Sequence, residues 1–540
     1  MSRRDLSTTS LGLGSILSAV AVATAALSVT EARANGLESA PDNGPEQLGR
    51  GAAWVAKADG PLAAFYNPAA MSFQSNGVGL SVHLMIIDQC FTRKGPNNAN
   101  VSPGAGLPGP GDANGPDPDV CIMPVFPNPQ LAAVFKPIDA LGIGIAVVAP
   151  HAAGGASWPE TVPFKQGNVD RNQPAPQRYL VTDKNALLLY PTISVSYAFV
   201  PEFSIGAGFS WGIATADFTT YTEALSPSAQ DDFFGHQDVE ARLQAADLFV
   251  PGFVVGVDAR PHPRIELGAW YRYSDSVRSV TDLTLTSGKF LQNGNLNPDP
   301  CKGMAADCNV TSKEEAGSLE IPIPMEAKLG LRYHHPLGSD TSEKPKWTKD
   351  RPNVHDSLSE DRFDIEVDGT WSHNSAVEDI KIRFGTPECQ EDPNCTDSGI
   401  PVKGTPGSVP VNGDIPHHWL DVVGVRVGSD VTVIPNRLAL RGGVFFESKG
   451  QDDEYLNLDF HQGWKLGLTL GGTVRVGPAD IHLAYSHVFY GTLDNGGEGA
   501  VKALSGDATP MPPYRSRQAI NGGSFRESLN EVALGADFRF

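Results

Sequence analysis

The residues whose type and spacing most directly imply chemistry are six cysteines: Cys90, Cys121, Cys301, Cys308, Cys389 and Cys395. Cys301 lies close to Cys308, and Cys389 close to Cys395, each pair within a stretch rich in Pro, Asn and Asp. In an oxidising compartment this reads as local disulfides that clip loops, with Cys90 and Cys121 bracketing a third loop. A metal centre is the alternative, but no C-x-x-C spacing and no nearby paired histidines support it. His334-His335 and His417-His418 are neighbours; in strands each pair splits across two faces and cannot chelate one ion. Asp452-Asp453-Glu454 could hold a cation, although such runs are more often solvated loop. No G-x-S-x-G nucleophile elbow occurs and no Ser/His/Asp set can be picked out, so neither an enzyme nor a cofactor is expected.

The N-terminus reads as an export signal. Arg3 and Arg4 precede an uncharged, largely apolar run from Leu11 to Val29, and Ala32-Arg33-Ala34 supplies a small-x-small cleavage pattern. Residues 1–34 are therefore expected to be removed, the alternative being a single membrane anchor. Beyond residue 34 no stretch of about 20 apolar residues appears, so no spanning helix is expected. The formal net charge of −21 excludes a nucleic-acid partner on electrostatic grounds. The 57 glycines and 43 prolines suit many turns and long loops.

Period-2 alternation dominates the rest. Val532, Leu534, Ala536, Phe538 and Phe540 alternate with Ala533, Gly535, Asp537 and Arg539. Leu466, Leu468 and Leu470 alternate with Lys465, Gly467 and Thr469, and Ile205, Ala207, Phe209 and Trp211 with Ser204, Gly206, Gly208 and Ser210. Helices would space apolar residues three and four apart. The spacing predicts strands near 76–91, 127–137, 141–151, 186–200, 203–222, 246–260, 264–286, 317–335, 361–384, 417–434, 437–450, 463–476, 479–493 and 526–540. Tight turns follow the even-numbered strands, as at Pro201-Glu202 and Gly477-Pro478, and long polar connections follow the odd ones. Short periplasmic turns, long outer loops and strands of ten residues or more are the pattern of an outer-membrane barrel rather than a soluble sandwich. The polar link 336–360 is the exception, and nothing in the sequence accounts for its length. Residues 223–250, with Ala224, Leu225, Phe233, Phe234, Leu243 and Phe249, read as an outer loop that forms an apolar groove or packs on itself.

Residues 35–75 do not alternate. They carry Leu48-Gly49-Arg50-Gly51-Ala52 and, later, Phe65-Tyr66-Asn67-Pro68-Ala69-Ala70. Here the sequence resembles the FadL family of outer-membrane transport proteins, which opens with an L-G-R-A-like start followed by an N-P-A motif. Gly51 stands where the family often has Ala, and long Pro/Gly-rich insertions such as 93–126 depart from it. The resemblance implies an all-β fold: a monomeric, 14-stranded antiparallel transmembrane β-barrel in the bacterial outer membrane (76–540), with a short N-terminal hatch (35–75) plugging the lumen. It implies a hydrophobic ligand, long-chain fatty acids above all, with aromatic hydrocarbons also carried in the family. The gating hatch would comprise Arg50, Phe65, Tyr66, Asn67, Pro68 and Ala69. The family also implies a lateral exit through a kinked third strand. Pro150, near the end of that strand, marks either this wall gap or simply the strand's end. A general diffusion porin or a structural surface barrel is the alternative; neither needs a hatch.

Overall fold

The computed structural model describes residues 44–94, 119–166, 169–223, 238–291, 295–298, 309–311, 317–338, 354–384, 400–402, 408–409, 413–501 and 519–540. Fourteen strands form the wall. They are β1 (Gly77–Arg93), β2 (Val125–Ile138), β3 (Leu141–Ser157), β4 (Asp183–Val200), β5 (Phe203–Glu223), β6 (Asp238–His262) and β7 (Ile265–Ser274, resumed at Val277–Ser287). There follow β8 (Gly317–Ile321 and Glu326–Pro336), β9 (Asp361–Ser372 and Asp379–Arg383), β10 (Val422–Ile434), β11 (Leu438–Glu447), β12 (Lys465–Val476), β13 (Ala479–Tyr490) and β14 (Gly523–Arg539). Each pairs antiparallel with the next, and β14 pairs with β1 from Gly77↔Arg539 to Arg93↔Gly523, closing the barrel.

Alternation places the side chains. Along β14, Val532, Leu534 and Phe538 are exposed while Glu531 and Ala533 are buried. Rings form two girdles, exposed Phe203, Phe363 and Phe538 near the short turns, and exposed Trp211 and Phe489 with half-buried Trp371 toward the other end. Phe203 to Trp211, like Phe363 to Trp371, is eight residues, about 27 Å along a strand and roughly 20 Å of membrane thickness at a tilt near 40°. The short turns use backbone chemistry suited to them: Asn436 and Gly477 adopt φ of 58° and 61°. Barrels of this kind carry their short turns on the periplasmic side, which assigns that end.

Three expectations need adjustment. β6 begins at Asp238, not 246, so Leu243 and Phe249 belong to a strand, Leu243 buried and Phe249 exposed beside Trp211. Its first turns stand above the lipid, where Arg242 pairs with Asp217 across to β5, and polar outward residues there erase the alternation. Ala224, Leu225, Phe233 and Phe234 lie outside the described residues. β10 begins at Val422, so His417 and His418 precede it; His418 takes φ 42° against the Tyr455 ring, while His417 turns inward to Asp459 at 3.0 Å. Cys90 and Cys121 form a disulfide across a short ladder between β1 and Asp119–Ile122, and the other four cysteines lie outside the described residues.

Candidate functional site

The segment from Gly44 to Asn76 lies inside the barrel and is almost wholly buried. Its contacts explain why the inward face of the wall carries so many glycines. A β-carbon on Gly206 would meet Ala69 N at 2.4 Å, on Gly256 Asn67 Oδ1 at 2.2 Å, on Gly268 Val55 O at 2.4 Å, and on Gly443 Arg50 C at 2.1 Å. The plug backbone rests directly on the backbone of β5, β7 and β11, and the Asn67 side chain on that of β6, and any wall side chain at these points would lift the plug off.

Polar groups then fasten it. Arg50 is fully buried; its Nη1 lies 2.8 Å from both Asp364 and Asp430, and its Nη2 3.2 Å from Glu366. Inward carboxylates of β9 accept the plug's backbone donors: Asp368 from Trp54 N at 2.9 Å and Val55 N at 3.2 Å, Glu366 from Ala56 N at 2.7 Å and Lys57 N at 3.3 Å. Lys57 also pairs with Glu46, and with Asp59 at 3.1 Å. Charge-assisted bonds of this kind are worth about twice neutral ones in a dry lumen.

The other hatch residues sit as follows. Asn67 Nδ2 donates to Val55 O at 2.9 Å, bracing one plug turn against another, and Pro68 starts a short 3₁₀ turn, Pro68–Phe73. The Ala69 carbonyl accepts from Ser204 Oγ at 2.7 Å. Phe65 meets Tyr66 edge-on at 5.1 Å and packs near Tyr190, with the Arg272 guanidinium 3.9 Å over its ring. The expected residues are thus all brought together in the lumen, on plug–wall and plug–plug contacts. Sequence reasoning missed their partners Asp364, Glu366 and Asp368. The available signal was three carboxylates at alternate positions of one strand, interleaved with lipid-facing Phe363, Ile365 and Val367.

From Phe65 and Tyr190 one apolar cluster continues toward the outer mouth. Within it, Leu188, Ala214, Val277, Ile321, Ile323 and Phe460 line a small, partly open apolar cavity of about 30 Å³. Phe460 is delivered by the loop between β11 and β12. Lys184 holds that loop from the wall through its Leu458 and Asp459 carbonyls, both at 2.7 Å. A second cluster, including Trp158, Tyr179, Tyr221, Phe290, Leu458 and Phe525, packs the outer loops together.

The wall has a discontinuity beside this cluster. β2 pairs with β1 without a break from Ile86↔Val125 to Gly77↔Val134, but its ladder to β3 begins only at Leu131↔Val147. Pro127 and Pro129 occupy alternate positions, so both absent donors face one side; the intact β1 ladder puts that side toward β3. On β3 the register to β4 shifts between Val148 and His151 and again before Ala153, so Pro150 sits in a bulge and the strand continues to Ser157. The reading of Pro150 as a simple strand end is thereby corrected. Asn128 Nδ2 reaches the Ala149 carbonyl at 3.0 Å across the unpaired stretch, and buried Val148 connects it to the apolar cluster.

The periplasmic end is crossed by the last residues of the 336–360 link, of which 339–353 lie outside the described residues. Asp356 is gripped by Arg475 at 2.6 Å and Arg539 at 3.1 Å, Ser357 Oγ donates to Asp59 of the plug at 2.9 Å, and the Leu358 carbonyl accepts from Asn436 N at 2.9 Å. The stretch 354–360 is therefore a strap that ties β8–β9 to the plug, to the β10–β11 turn and to β12 and β14, which gives the link a structural role.

Ser375, His373 and Asp421 meet at an exposed position on the barrel. Both Ser375 Oγ and Asp421 Oδ1 address the same nitrogen, His373 Nδ1, at 3.2 and 3.0 Å, so no proton relay is formed. Asp453 of the acidic run is taken by Lys449 at 2.9 Å.

A closed fourteen-stranded barrel with apolar rings facing outward is an outer-membrane β-barrel. Residues 25–336, more than half the chain, match the sequence profile of the outer membrane protein transport protein family (OMPP1/FadL/TodX), and the chain belongs to that family. Its members are transport channels, not enzymes. Solved structures share the architecture. A FadL homologue of Pseudomonas aeruginosa superposes with a TM-score of 0.59 at 16% identity, covering 94% of this chain and 100% of its own. The Pseudomonas putida toluene transporter TodX gives 0.53 at 12% identity, covering 93% and 99%, and the Ralstonia pickettii toluene transporter TbuX gives 0.51 at 13%, covering 93% and 99%. At these identities the likeness is one of fold. No curated protein matches this sequence.

Proposed function

We propose that this barrel takes up hydrophobic small molecules, long-chain fatty acids foremost, passively and as a monomer, with residues 35–75 acting as a hatch that closes the lumen to water. The observation that carries this reading is the continuous apolar cluster running from Phe65 and Tyr190 to Phe460, set above the charged contacts that fasten the plug. A water-filled pore offers a greasy molecule nothing, because exposure of apolar surface to water is unfavourable at about 25 cal/mol per Å². An apolar cavity with a nearby opening between β2 and β3 offers transfer from loops to membrane without that cost.

The test is uptake of a labelled long-chain fatty acid by cells lacking their own transporter, comparing the intact protein, Asn67→Ala and an empty membrane. Uptake above background that weakens in the variant supports hatch-gated transport. Background uptake from folded, inserted protein refutes the fatty-acid reading and turns attention to aromatic hydrocarbons or a porin.

A further inference from the structure

At the periplasmic rim, three side chains from separate parts of the chain converge. His334 lies on the inward face of β8, Asp361 opens β9, and His355 arrives on the strap. His334 Nδ1 is 2.8 Å from Asp361 Oδ1, and His355 Nε2 is 2.9 Å from Asp361 Oδ2. One ligand atom from each of the three falls within 4.8 Å of the others, and the imidazole centroids are 4.7 Å apart. The two His–Asp spacings are near the 3 Å or so that a shared ion with ligand bonds of about 2.0–2.2 Å requires, and the His334–His355 spacing lies within 4.8 Å.

The surroundings fit an ion as well. His355 Nδ1 faces the Glu360 carboxylate at 3.0 Å, the outer-shell arrangement that fixes a ligating imidazole's tautomer and aim. Arg332 touches Asp361, but its single charge is divided among Glu266, Asp361 and Asp364, so the pocket is not neutralised by it. The His355 side chain is 17% exposed while the other two are nearly sealed, which gives an ion one route of entry, from the periplasm.

We propose that His334, His355 and Asp361 form a binding site for a divalent first-row transition ion, zinc foremost, which staples the strap to the barrel rim. Two imidazoles and one carboxylate suit zinc, cobalt or nickel rather than magnesium or calcium, which prefer all-oxygen shells. A fourth position remains for water or for Glu360. His335 points to the opposite face of β8 and takes no part.

The experiment uses full-length protein, purified in detergent and stripped with chelator. Cobalt is titrated while its visible absorption is followed, and zinc is then added in competition. One saturable equivalent, displaced by zinc, is expected. His355→Ala and His334→Ala should each weaken binding by about a hundredfold or more, while His335→Ala leaves it unchanged. His355 lies outside the barrel strands, so its variant isolates the ligand from barrel folding, which heat-modifiable gel mobility checks. As a second readout, chelator should speed proteolysis within 339–360 of the wild type and have no further effect on His355→Ala. Absence of saturable binding, or equal binding by folded His355→Ala, overturns the proposal and leaves the trio as a hydrogen-bonded His–Asp–His cluster.

Discussion

Replacing Arg50 by alanine removes the one side chain that joins the plug to both β9 and β10. Its guanidinium has no solvent exposure and meets Asp364, Asp430 and Glu366; in the variant Glu366 loses its buried ion-pair partner, while Asp364 keeps Arg332 and Asp430 keeps Lys57 and Arg441. Removing one partner from a buried ion pair costs about 3–5 kcal/mol. At about 1.4 kcal/mol per factor of ten, the undocked plug becomes between about a hundred and several thousand times more populated. The wall is untouched, since the ladders of β9 and β10 do not involve this side chain. Hydrogen exchange in detergent reads the effect directly at the amides of Trp54, Val55, Ala56 and Lys57, which are bonded to Asp368 and Glu366. They should lose two to three orders of magnitude of protection while β-ladder amides keep theirs. Arg50→Lys should recover only part, because an ammonium cannot fork between carboxylates. Unchanged protection of those four amides in Arg50→Ala would refute the view that buried charge, rather than backbone fit, holds the plug.

Gly206→Val places a side chain where Ala69 N stands 2.4 Å away, so it should displace the plug and raise both single-channel conductance and sensitivity to a large hydrophilic antibiotic; an unaltered conductance would show that the close approach is dispensable. A cysteine pair at Asn128 and Ala149 would bridge β2 to β3 across their unpaired stretch, and oxidation should then cut hydrophobic uptake at least tenfold, reversibly with reductant, against a wild-type control given the same reductant. Full uptake in the cross-linked form would exclude this opening as the exit. For Asp356, burial pushes the carboxyl up, but hydrogen bonds from Arg475 and the charge of Arg539 outweigh it and bring it down to about 2. A depressed carboxyl stabilises strap docking above its ordinary pKa near 3.8, and that contribution, roughly 2 kcal/mol, is lost as the pH falls toward 2. Protection of the 354–360 amides, taken relative to their intrinsic exchange rates, should therefore stay high at pH 5 and fall below pH 4, and in Asp356→Asn it should be low throughout; pH-independent protection in the wild type would contradict this.

The wall was readable because lipid imposes one chemistry on every second residue. β5, β12 and β14 announce themselves through Phe209 and Trp211, Leu468 and Leu470, and Val532 and Leu534. Where a strand leaves the bilayer that pressure ends, which is why the start of β6 at Asp238 was not visible while its lower part was. The plug is different. Nothing local distinguishes Asn67-Pro68 from a turn, and only the family resemblance singled it out. The residues that hold Arg50 are more than 300 positions away, beyond any periodic signal. The meeting of His334 with His355 was hidden for the same reason: adjacent histidines were compared, whereas the pairing depends on a link folding back beneath the barrel.

The plug leads the chain, yet its fastenings come from the middle. Arg50 is separated by 314 residues from Asp364 and by 316 from Glu366, so eight strands must exist before its charge can be met. Contacts this distant form late, after the closure entropy of the intervening chain has been overcome. The Arg50 end of the segment is therefore carried unfastened while β1 to β8 are laid down, although Phe65 and Ala69 can already meet β7 and β5, and it docks only as β9 and β10 arrive. The final seam, β14 against β1, then shuts alongside it, with Phe540 N bonded to the Asn76 carbonyl at 3.1 Å where plug becomes wall. The cylinder closes around its own beginning, and shortening that beginning alters the order of assembly as well as what passes through.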